Sequence, residues 1–245
     1  MPMKKERLDK LLSNMGTGSR TQVKDMIKSG FVTVNGVLAT SPEAKVVPGV
    51  DRVCLKGREI KYREFIYLML NKPQGMVSST DDPRESVVIE LLDDYWKGFR
   101  PFPVGRLDKD TEGLLLITND GQLAHLLLSP RKGVDKTYYA EIDGVVLPEH
   151  IESFRKGVQL EDGYLTLPAE LEIERSELIS TVQVTIQEGK YHQVKRMFAA
   201  HGLRVVYLKR IRMGPLVLDN QLGEGEYREL TDDEIGVLKR EVGMV

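Results

Sequence analysis

The sequence predicts an α+β protein with two domains of unequal size. Strand-like segments outnumber helical ones, and many of them read as antiparallel neighbours. The first 60 residues show two short helices before a small hairpin sheet, whereas longer alternation of strands and helices follows a polar stretch at residues 56–63. We therefore expect a small N-terminal domain over residues 1–60 and a larger domain, built on a mixed, mainly antiparallel sheet, over residues 61–245.

Length and composition narrow the class of protein. The chain has 245 residues, 41% of them hydrophobic and 29% charged, which is enough to bury a substantial core. Its start lacks the apolar run of a signal peptide, and no stretch approaches the ~20 apolar residues of a membrane span. These features predict a cytoplasmic protein that does not enter a membrane, with a monomer as the default. One cysteine, Cys54, excludes a disulfide framework within the chain.

The N-terminal segment has clear helix and turn signals. Leucines recur at helical spacing in residues 6–14, and Ser19 can cap a second helix that Gly30 ends. Residues 31–34 alternate as a strand that runs into Asn35-Gly36, a strong hairpin signal, and residues 52–55 fit a further strand. This order predicts a compact helical pair backed by a small sheet.

The larger domain begins with an apolar strand and ends with a capped helix. Pro73 and Gly75 force a loop after the first strand, Gly202 stops a later helix, and Thr231 can cap the last one. The pattern predicts strands at residues 65–70, 114–118, 137–142, 181–186 and 203–208, and helices at residues 87–92, 122–128, 148–156, 192–201 and 232–241.

Basic residues are unevenly distributed, although the formal net charge is only −2. Arg20, Lys24 and Lys28 follow each other at intervals of four, which puts them on one face of the second helix. Such a stripe can track a phosphate backbone, and it can equally be a solvated helix face.

A second basic region lies late in the chain. No acidic residue occurs between Glu188 and Asp219. The basic side chains of this stretch are Lys190, Lys195, Arg196, Arg204, Lys209, Arg210 and Arg212. The separation of charge favours a surface that faces RNA or another polyanion.

One polar loop combines glycines, charged residues and a following apolar strand. Asp108 lies inside Gly105-Arg106-Leu107-Asp108-Lys109-Asp110-Thr111-Glu112-Gly113, directly before Leu-Leu-Leu-Ile. A carboxylate on a loop attached to a rigid strand can act as a nucleophile or general base, and it can also be one acid of an exposed turn. Lys195 could form an ion pair with a buried carboxylate, and Tyr138 could stack on an extruded base or pack within the sheet.

The sequence shows no metal-site or nucleotide-cofactor motif. His192 and His201 are nine positions apart with no clustered Cys or His, and neither GxxxxGK[ST] nor GxGxxG is present. We therefore expect neither a metal nor a nucleotide cofactor.

At these residues the sequence resembles a known family. The segment GRLDKDTEGLLLITNDG is similar to the signature of the RsuA-type pseudouridine synthases. Asn71-Lys72-Pro73-Gln74-Gly75 resembles the motif that supports their catalytic loop, Lys136-Thr137-Tyr138 resembles their KTY motif, and the segment from Glu188 to Phe198 resembles their third motif. The N-terminal unit is similar to the S4-like αL RNA-binding domain. The resemblance covers nearly the whole chain.

The resemblance implies a cofactor-free isomerisation of uridine in ribosomal RNA. Asp108 would be the nucleophile, Tyr138 would pack against the target base, and Lys195, where many relatives have arginine, would pair with Asp108 and hold it ionised. Asp110 would support the loop. The resemblance and the charge pattern together imply RNA contacts by Arg106, Lys72, Arg20, Lys24, Lys28, His192, Arg196 and Arg210.

The form YHQVKRMFAAHG resembles the branch that modifies small-subunit (16S) ribosomal RNA, at the uridine usually numbered 516. A synthase acting on large-subunit (23S) ribosomal RNA is the nearer alternative. A non-catalytic RNA-binding ribosome assembly factor on the same scaffold is the other, and it would be expected to lack Asp108, Lys195 or Tyr138.

Overall fold

A computed structural model describes residues 5–244 of the chain, so the first four residues of the predicted first domain and residue 245 lie outside it. The chain divides into two compact units. One comprises the chain up to Ile66 together with Leu92–Pro101, and the other comprises Tyr67–Leu91 together with the chain from Phe102 onward. Among the described residues, no helix is long and apolar enough to cross a membrane.

The first unit begins with the predicted pair of short helices. Its elements are β1 (Glu6–Arg7), α1 (Leu8–Asn14), α2 (Arg20–Lys28), β2 (Val32–Val34), β3 (Val37–Leu38), β4 (Lys45–Val46), β5 (Val53–Leu55), β6 (Arg58–Glu59) and α3 (Asp94–Lys97). The Ser19 hydroxyl accepts from the Gln22 backbone N–H, and the Gln22 side chain accepts from the Ser19 N–H. This capping box confirms the predicted start of α2, which buries Val23 and Ile27.

Two tight turns shape the small sheet, whose strand order is β3-β2-β5-β6. Asn35 and Gly36 have φ angles of 52° and 81°, which confirms the predicted hairpin turn. Lys56 and Gly57 repeat this geometry, with φ angles of 49° and 78°, between β5 and β6. The first half of the polar stretch at residues 56–63 therefore belongs to the first sheet, because Lys56-Gly57 is a hairpin turn between β5 and β6.

The segment Leu92–Pro101 belongs to the first unit, which the sequence analysis did not anticipate. Tyr95, Trp96 and Phe99 form an aromatic cluster with ring centroids 4.8–6.2 Å apart. Gly16 meets this segment so closely that a Cβ there would lie 2.3 Å from the Tyr95 carbonyl oxygen. The predicted boundary at residues 60/61 stays a prediction, and it does not account for this returning segment.

The second unit is built on one large sheet. Its elements are β7 (Tyr67–Lys72), β8 (Phe102–Pro103), β9 (Glu112–Thr118), α4 (Gly121–Leu128), β10 (Lys136–Asp143), α5 (Pro148–Lys156), β11 (Glu170–Arg175), β12 (Ile179–Ile186), α6 (Gln193–Ala199), β13 (Arg204–Met213), β14 (Leu216–Val217), β15 (Tyr227–Glu229) and α7 (Asp232–Glu241), with short 3-10 helices at Val88–Leu91 and Pro130–Lys132.

The strand order is β11-β12-β10-β13-β9-β7-β15, with β8 paired to β9 and β14 paired to β13. These pairs are antiparallel except β9 with β13, which is parallel. The prediction of an α+β fold with a mainly antiparallel sheet is confirmed. Leu114 and Leu116 of β9 face a fully buried core that includes Leu123 of α4 and Leu238 of α7.

Some predicted elements are confirmed and others differ. Helices α5 and α7 have the predicted bounds, and the Thr231 hydroxyl caps α7 by accepting from Glu234 N–H. The helix predicted at residues 87–92 is a short 3-10 helix. Strand β11 was not predicted, although Glu170–Arg175 alternates Glu with Leu and Ile, the pattern of an edge strand with one exposed face.

Gly113 lies on β9 directly opposite Arg210 of the neighbouring strand β13. Its φ is +98°, and a Cβ there would lie 2.2 Å from the Arg210 carbonyl oxygen. Gly163 also has a positive φ of +82°, but a Cβ there would meet nothing within 4 Å. The two glycines therefore separate the cost of close packing from the cost of an unusual backbone angle.

We predict that Gly113→Ala destabilises the chain by more than about 3 kcal/mol, because strain at a left-handed residue adds to overpacking against backbone. Gly163→Ala carries only the first cost and is expected to lose about 1–2 kcal/mol. Urea denaturation followed by circular dichroism measures both. Equal losses in the two variants would show that the close approach of Gly113 contributes nothing.

Candidate active site

The predicted catalytic loop joins β8 to β9 and is held at several backbone groups. The Ser78 hydroxyl bonds to both polar groups of Leu107, accepting from its N–H and donating to its carbonyl, each at 3.0 Å. The Thr111 N–H donates to the Asp108 carbonyl, and the Gly75 N–H donates to the Lys109 carbonyl. These bonds fix the backbone on both sides of Asp108.

Lys72 holds the same loop through hydrogen bonds from its side chain to backbone carbonyls. Its side chain is fully buried at the end of β7, and its ammonium donates to the carbonyls of Pro73 and Thr111, each at 2.9 Å, and to that of Lys109 at 3.4 Å. The expectation that Lys72 contacts RNA is therefore contradicted, because the side chain has no exposed surface and its donors are directed at backbone oxygens. Burial lowers the pKa of Lys72 to about 8, against the attraction of Asp110 and Asp108.

Asp108 lies between two basic side chains from the start of α6. Its Oδ2 is 3.3 Å from Lys195 Nζ, and its Oδ1 is 3.6 Å from His192 Nε2. Lys195 also bonds to Asp110 Oδ1 at 2.5 Å. The fold thus brings together the Asp108–Lys195 pair predicted from sequence positions 87 residues apart. The contact of His192 with Asp108 was missed, because His192 was expected only to contact RNA.

Lys195 is shared by two carboxylates rather than held by one. Burial raises the pKa of Asp110, but the hydrogen bond and charge of Lys195 outweigh it, so the pKa of Asp110 lies below its usual range. A lysine ammonium is a point charge with three donors, so it can serve both carboxylates at once. Asp110 therefore acts on Asp108 by competing for, and positioning, the same cation.

A buried polar network fixes the segment that carries His192 and Lys195. The Glu188 carboxylate accepts from Tyr164 Oη at 2.6 Å, from the Leu167 N–H at 2.9 Å and from Gln193 Nε2 at 2.9 Å. The Gln193 side-chain oxygen in turn accepts from the Lys190 N–H. This network explains the Glu and Gln of the third motif, which the sequence alone left without a role. His192 occupies the N-cap position of α6 without a side-chain capping bond, and its backbone lies in the left-handed region, with φ +49°.

An open cavity of about 1110 Å³ lies beside Asp108. Tyr138 of β10, which is 8% exposed, and the exposed side chain of Arg106 line it together with His192. A smaller cavity of about 70 Å³ next to it is lined by Asp108, Tyr138 and Lys195. The three residues predicted to be catalytic thus border one space.

The late basic region is not one free cationic surface. Arg196 is only 17% exposed and pairs with Glu161 at 2.7 Å and Asp162 at 2.6 Å. Arg204 pairs with Asp143 at 2.7 Å. The acid-free stretch therefore receives its carboxylates from other parts of the chain. An RNA contact by Arg196 stays a prediction, and it would have to compete with two neighbouring acids.

The remaining predicted RNA contacts fall in two places. Arg210 is 2% exposed on β13 and lines the large cavity, so its predicted contact with RNA or substrate stays a prediction there. Arg20, Lys24 and Lys28 are exposed along α2 of the first unit, where Arg20 lies 3.4 Å from Asp9. Their contacts with RNA stay predictions. Residues 5–244 contain no cluster of three or more His, Cys, Asp or Glu that could hold a metal ion.

Comparison with known proteins assigns the family. The family described as RNA pseudouridylate synthase matches residues 66–200, and the S4 domain matches residues 6–51. The chain belongs to the RNA pseudouridylate synthase family. An S4 domain therefore precedes a pseudouridine synthase domain, as the sequence motifs implied.

Full-length relatives share both domains of this pseudouridine synthase. The uncharacterized RNA pseudouridine synthase YtzG of Bacillus subtilis is 52% identical over 95% of this chain and 98% of its own length. Ribosomal small subunit pseudouridine synthase A of Escherichia coli is 44% identical over 94% and 98%. Ribosomal large subunit pseudouridine synthase B of Bacillus subtilis is 38% identical over 96% of each chain.

A solved structure also resembles the synthase over its full length. A crystal structure of a pseudouridylate synthase superimposes with a TM-score of 0.67 at 38% identity, covering 95% of this chain and 99% of that one. This likeness extends the family assignment from sequence to the arrangement of the chain.

We predict that Lys72→Met destabilises the synthase by about 1–3 kcal/mol, because buried carbonyls lose their donor. The unfolded chain binds a proton at Lys72 up to its ordinary pKa of 10.5, whereas the folded chain releases it near 8. The Lys72 contribution to stability therefore rises between pH 8 and 10, and the deficit of the variant widens over that range.

Urea denaturation at pH 7 and pH 10 measures this difference. Lys109→Met is the matched control, because Lys109 is half exposed and its ammonium pairs with Glu85 at the surface. A deficit for Lys72→Met that narrows at high pH would contradict the buried, weakly basic ammonium.

Proposed function

We propose that this synthase isomerises a uridine of small-subunit (16S) ribosomal RNA to pseudouridine, at the position usually numbered 516, with Asp108 as the nucleophile. The observation that carries the proposal is the placement of Asp108 at a cavity, between Lys195 at 3.3 Å and His192 at 3.6 Å, with Tyr138 in the same lining. A carboxylate held beside a cation at the edge of a cavity can act as a nucleophile on a bound substrate.

The chemistry is a rearrangement within one nucleotide. The bond between ribose C1′ and uracil N1 breaks, the base turns, and a bond between C1′ and C5 forms. C5 loses its hydrogen as a proton, N1 gains one, and no oxidation state changes, so the reaction requires no redox cofactor. Asp108 attacks the ribose or the uracil ring, and is released unchanged when the new bond is complete.

The surrounding residues have distinct roles in this proposal. Lys195 holds the Asp108 carboxylate in place, and Asp110 positions Lys195 through their shared contact. Tyr138 packs against the extruded uracil and assists removal of the C5 proton. Arg106, exposed at the cavity, stabilises the flipped-out nucleotide. Arg20, Lys24 and Lys28 of the S4 domain grip the RNA backbone.

The choice of small-subunit RNA is supported by the relatives. Small subunit synthase A is 44% identical to this chain, whereas large subunit synthase B is 38% identical. Large-subunit (23S) RNA is the second candidate, because the large-subunit relative covers 96% of the chain, compared with 94% for the small-subunit relative.

We expect Asp108→Asn to lower the rate of isomerisation more than about a thousandfold, because the amide is not a nucleophile. Tritium release from ribosomal RNA transcribed with 5-tritiated uridine measures the rate. Asp143→Asn is the control, since Asp143 pairs with Arg204 outside the cavity lining, and it is expected to keep the native rate. Normal release by Asp108→Asn would rule out Asp108 as the nucleophile, and absence of release by the native chain would favour a non-catalytic assembly factor.

Deletion of the gene is expected to remove one pseudouridine from small-subunit RNA and none from large-subunit RNA. Pseudouridine mapping of both RNAs from the native and deletion strains measures this, and complementation with the Asp108→Asn variant should not restore the site. Loss of a pseudouridine from large-subunit RNA instead would assign the synthase to the second candidate.

A further inference from the structure

Arg210 is a buried cation in the lining of the large cavity. It lies on β13 directly opposite Tyr138 of β10 in the sheet register, and its side chain is 2% exposed. The cavity lining contains Arg210, Tyr138 and Asp108 together. Arg210 therefore borders the space in which the proposed function puts the target nucleotide.

The hydrogen bonds of Arg210 are incomplete in the described part of the chain. Its Nε donates to the Leu114 carbonyl at 2.8 Å. Its Nη2 is buried, and no hydrogen-bond partner for it exists among residues 5–244. A guanidinium stays charged at any physiological pH, and a buried charged donor without an acceptor is costly. The Nη2 group can therefore donate a hydrogen bond to an acceptor oxygen that a bound ligand supplies.

A second buried cation borders the same cavity. Lys136 is 7% exposed, and its ammonium donates to the carbonyls of Val134 at 2.8 Å and Gln187 at 3.4 Å. Burial and the charge of Arg210 lower the pKa of Lys136 to about 8, against the attraction of Asp135. The two cations thus repel each other, and an anionic or strongly accepting group in the cavity would relieve that repulsion.

The one buried carboxylate in this lining is already engaged. Glu188 accepts hydrogen bonds from Tyr164, Leu167 and Gln193. Its lone pairs are directed at these donors, so Glu188 is bound within its own network.

We propose that Arg210 is a substrate-binding residue whose Nη2 donates to an acceptor oxygen of the nucleotide in the cavity, with Lys136 adding positive charge beside it. The oxygen belongs to a uracil carbonyl or to a phosphate of the same nucleotide. The proposal rests on the proposed function, since it takes the cavity beside Asp108 to hold a nucleotide. It assigns Arg210 a contact inside the active site rather than on the outer RNA-binding surface.

Binding of three small probes to the full-length chain tests the proposal. Uridine carries the carbonyls, ribose 5-phosphate carries the phosphate, and uridine 5′-monophosphate carries both. NMR titration at millimolar probe concentrations measures affinity for the native chain, Arg210→Met and the control Arg155→Met, since Arg155 is exposed on α5 and lies outside this cavity. We expect Arg210→Met to weaken uridine 5′-monophosphate binding roughly tenfold or more, as loss of a charge-assisted hydrogen bond does.

The pattern across the probes identifies the oxygen. Weakening of both phosphate probes, with uridine unchanged, assigns the phosphate, and weakening of both uracil probes, with ribose 5-phosphate unchanged, assigns a carbonyl. Native affinity of Arg210→Met for uridine 5′-monophosphate overturns the proposal, and so does failure of the native chain to bind any probe. If Arg210→Met does not fold, Arg210→Lys replaces it, because the shorter side chain keeps the charge and loses Nη2; native affinity of that variant is then the contradicting result.

These measurements involve no turnover, so they separate the two proposals. If the native chain binds the probes and Arg210→Met binds uridine 5′-monophosphate with native affinity, only the role of Arg210 is contradicted. Normal tritium release by Asp108→Asn contradicts only the nucleophile. Far-ultraviolet circular dichroism of each variant confirms that the fold is retained before binding is compared.

Discussion

The hydrogen bonds of one buried lysine to the loop that carries Asp108 are the interaction on which the candidate site depends. Lys72 ends β7, and its ammonium reaches the carbonyls of Thr111 and Lys109 on the loop that carries Asp108. A charged group with no exposed surface is tolerated only where oxygens surround it, so the loop backbone must keep those carbonyls turned inward. The side chain of Asp108 on the same loop lines the cavity, where Lys195 and His192 lie beside it.

Elsewhere around the site, charged side chains are likewise paired with partners within the chain. Lys195 serves Asp108 and Asp110 together, Arg196 is neutralised by Glu161 and Asp162, and Glu188 is enclosed by its donors. Lys195 and Arg196 are therefore not free to attract RNA without local competition. Arg210 is the exception among the buried cations, since one of its nitrogens lacks an acceptor in the described chain. The arrangement favours selective recognition of one nucleotide inside the cavity over general attraction of backbone around it.

Local patterns were reliable where local physics decides the structure. The capping box of Ser19, the Asn35-Gly36 turn and the Thr231 cap each depend on neighbours within a few residues, and each was predicted. The failures share the opposite cause. Lys72 was assigned to RNA because it is a lysine in a loop motif, yet its burial depends on strands brought over it by the fold.

The sequence by itself determined the order of the two domains and the α+β class, and its resemblance to a family of known motifs predicted the trio Asp108, Tyr138 and Lys195. Only the tertiary structure decided which charges remain available. The acid-free stretch after Glu188 looked like an open basic surface, but carboxylates from distant segments fold against it. Charge pairing is set by distance in space rather than in sequence, since a Coulomb interaction falls with separation whatever the length of chain between the two groups.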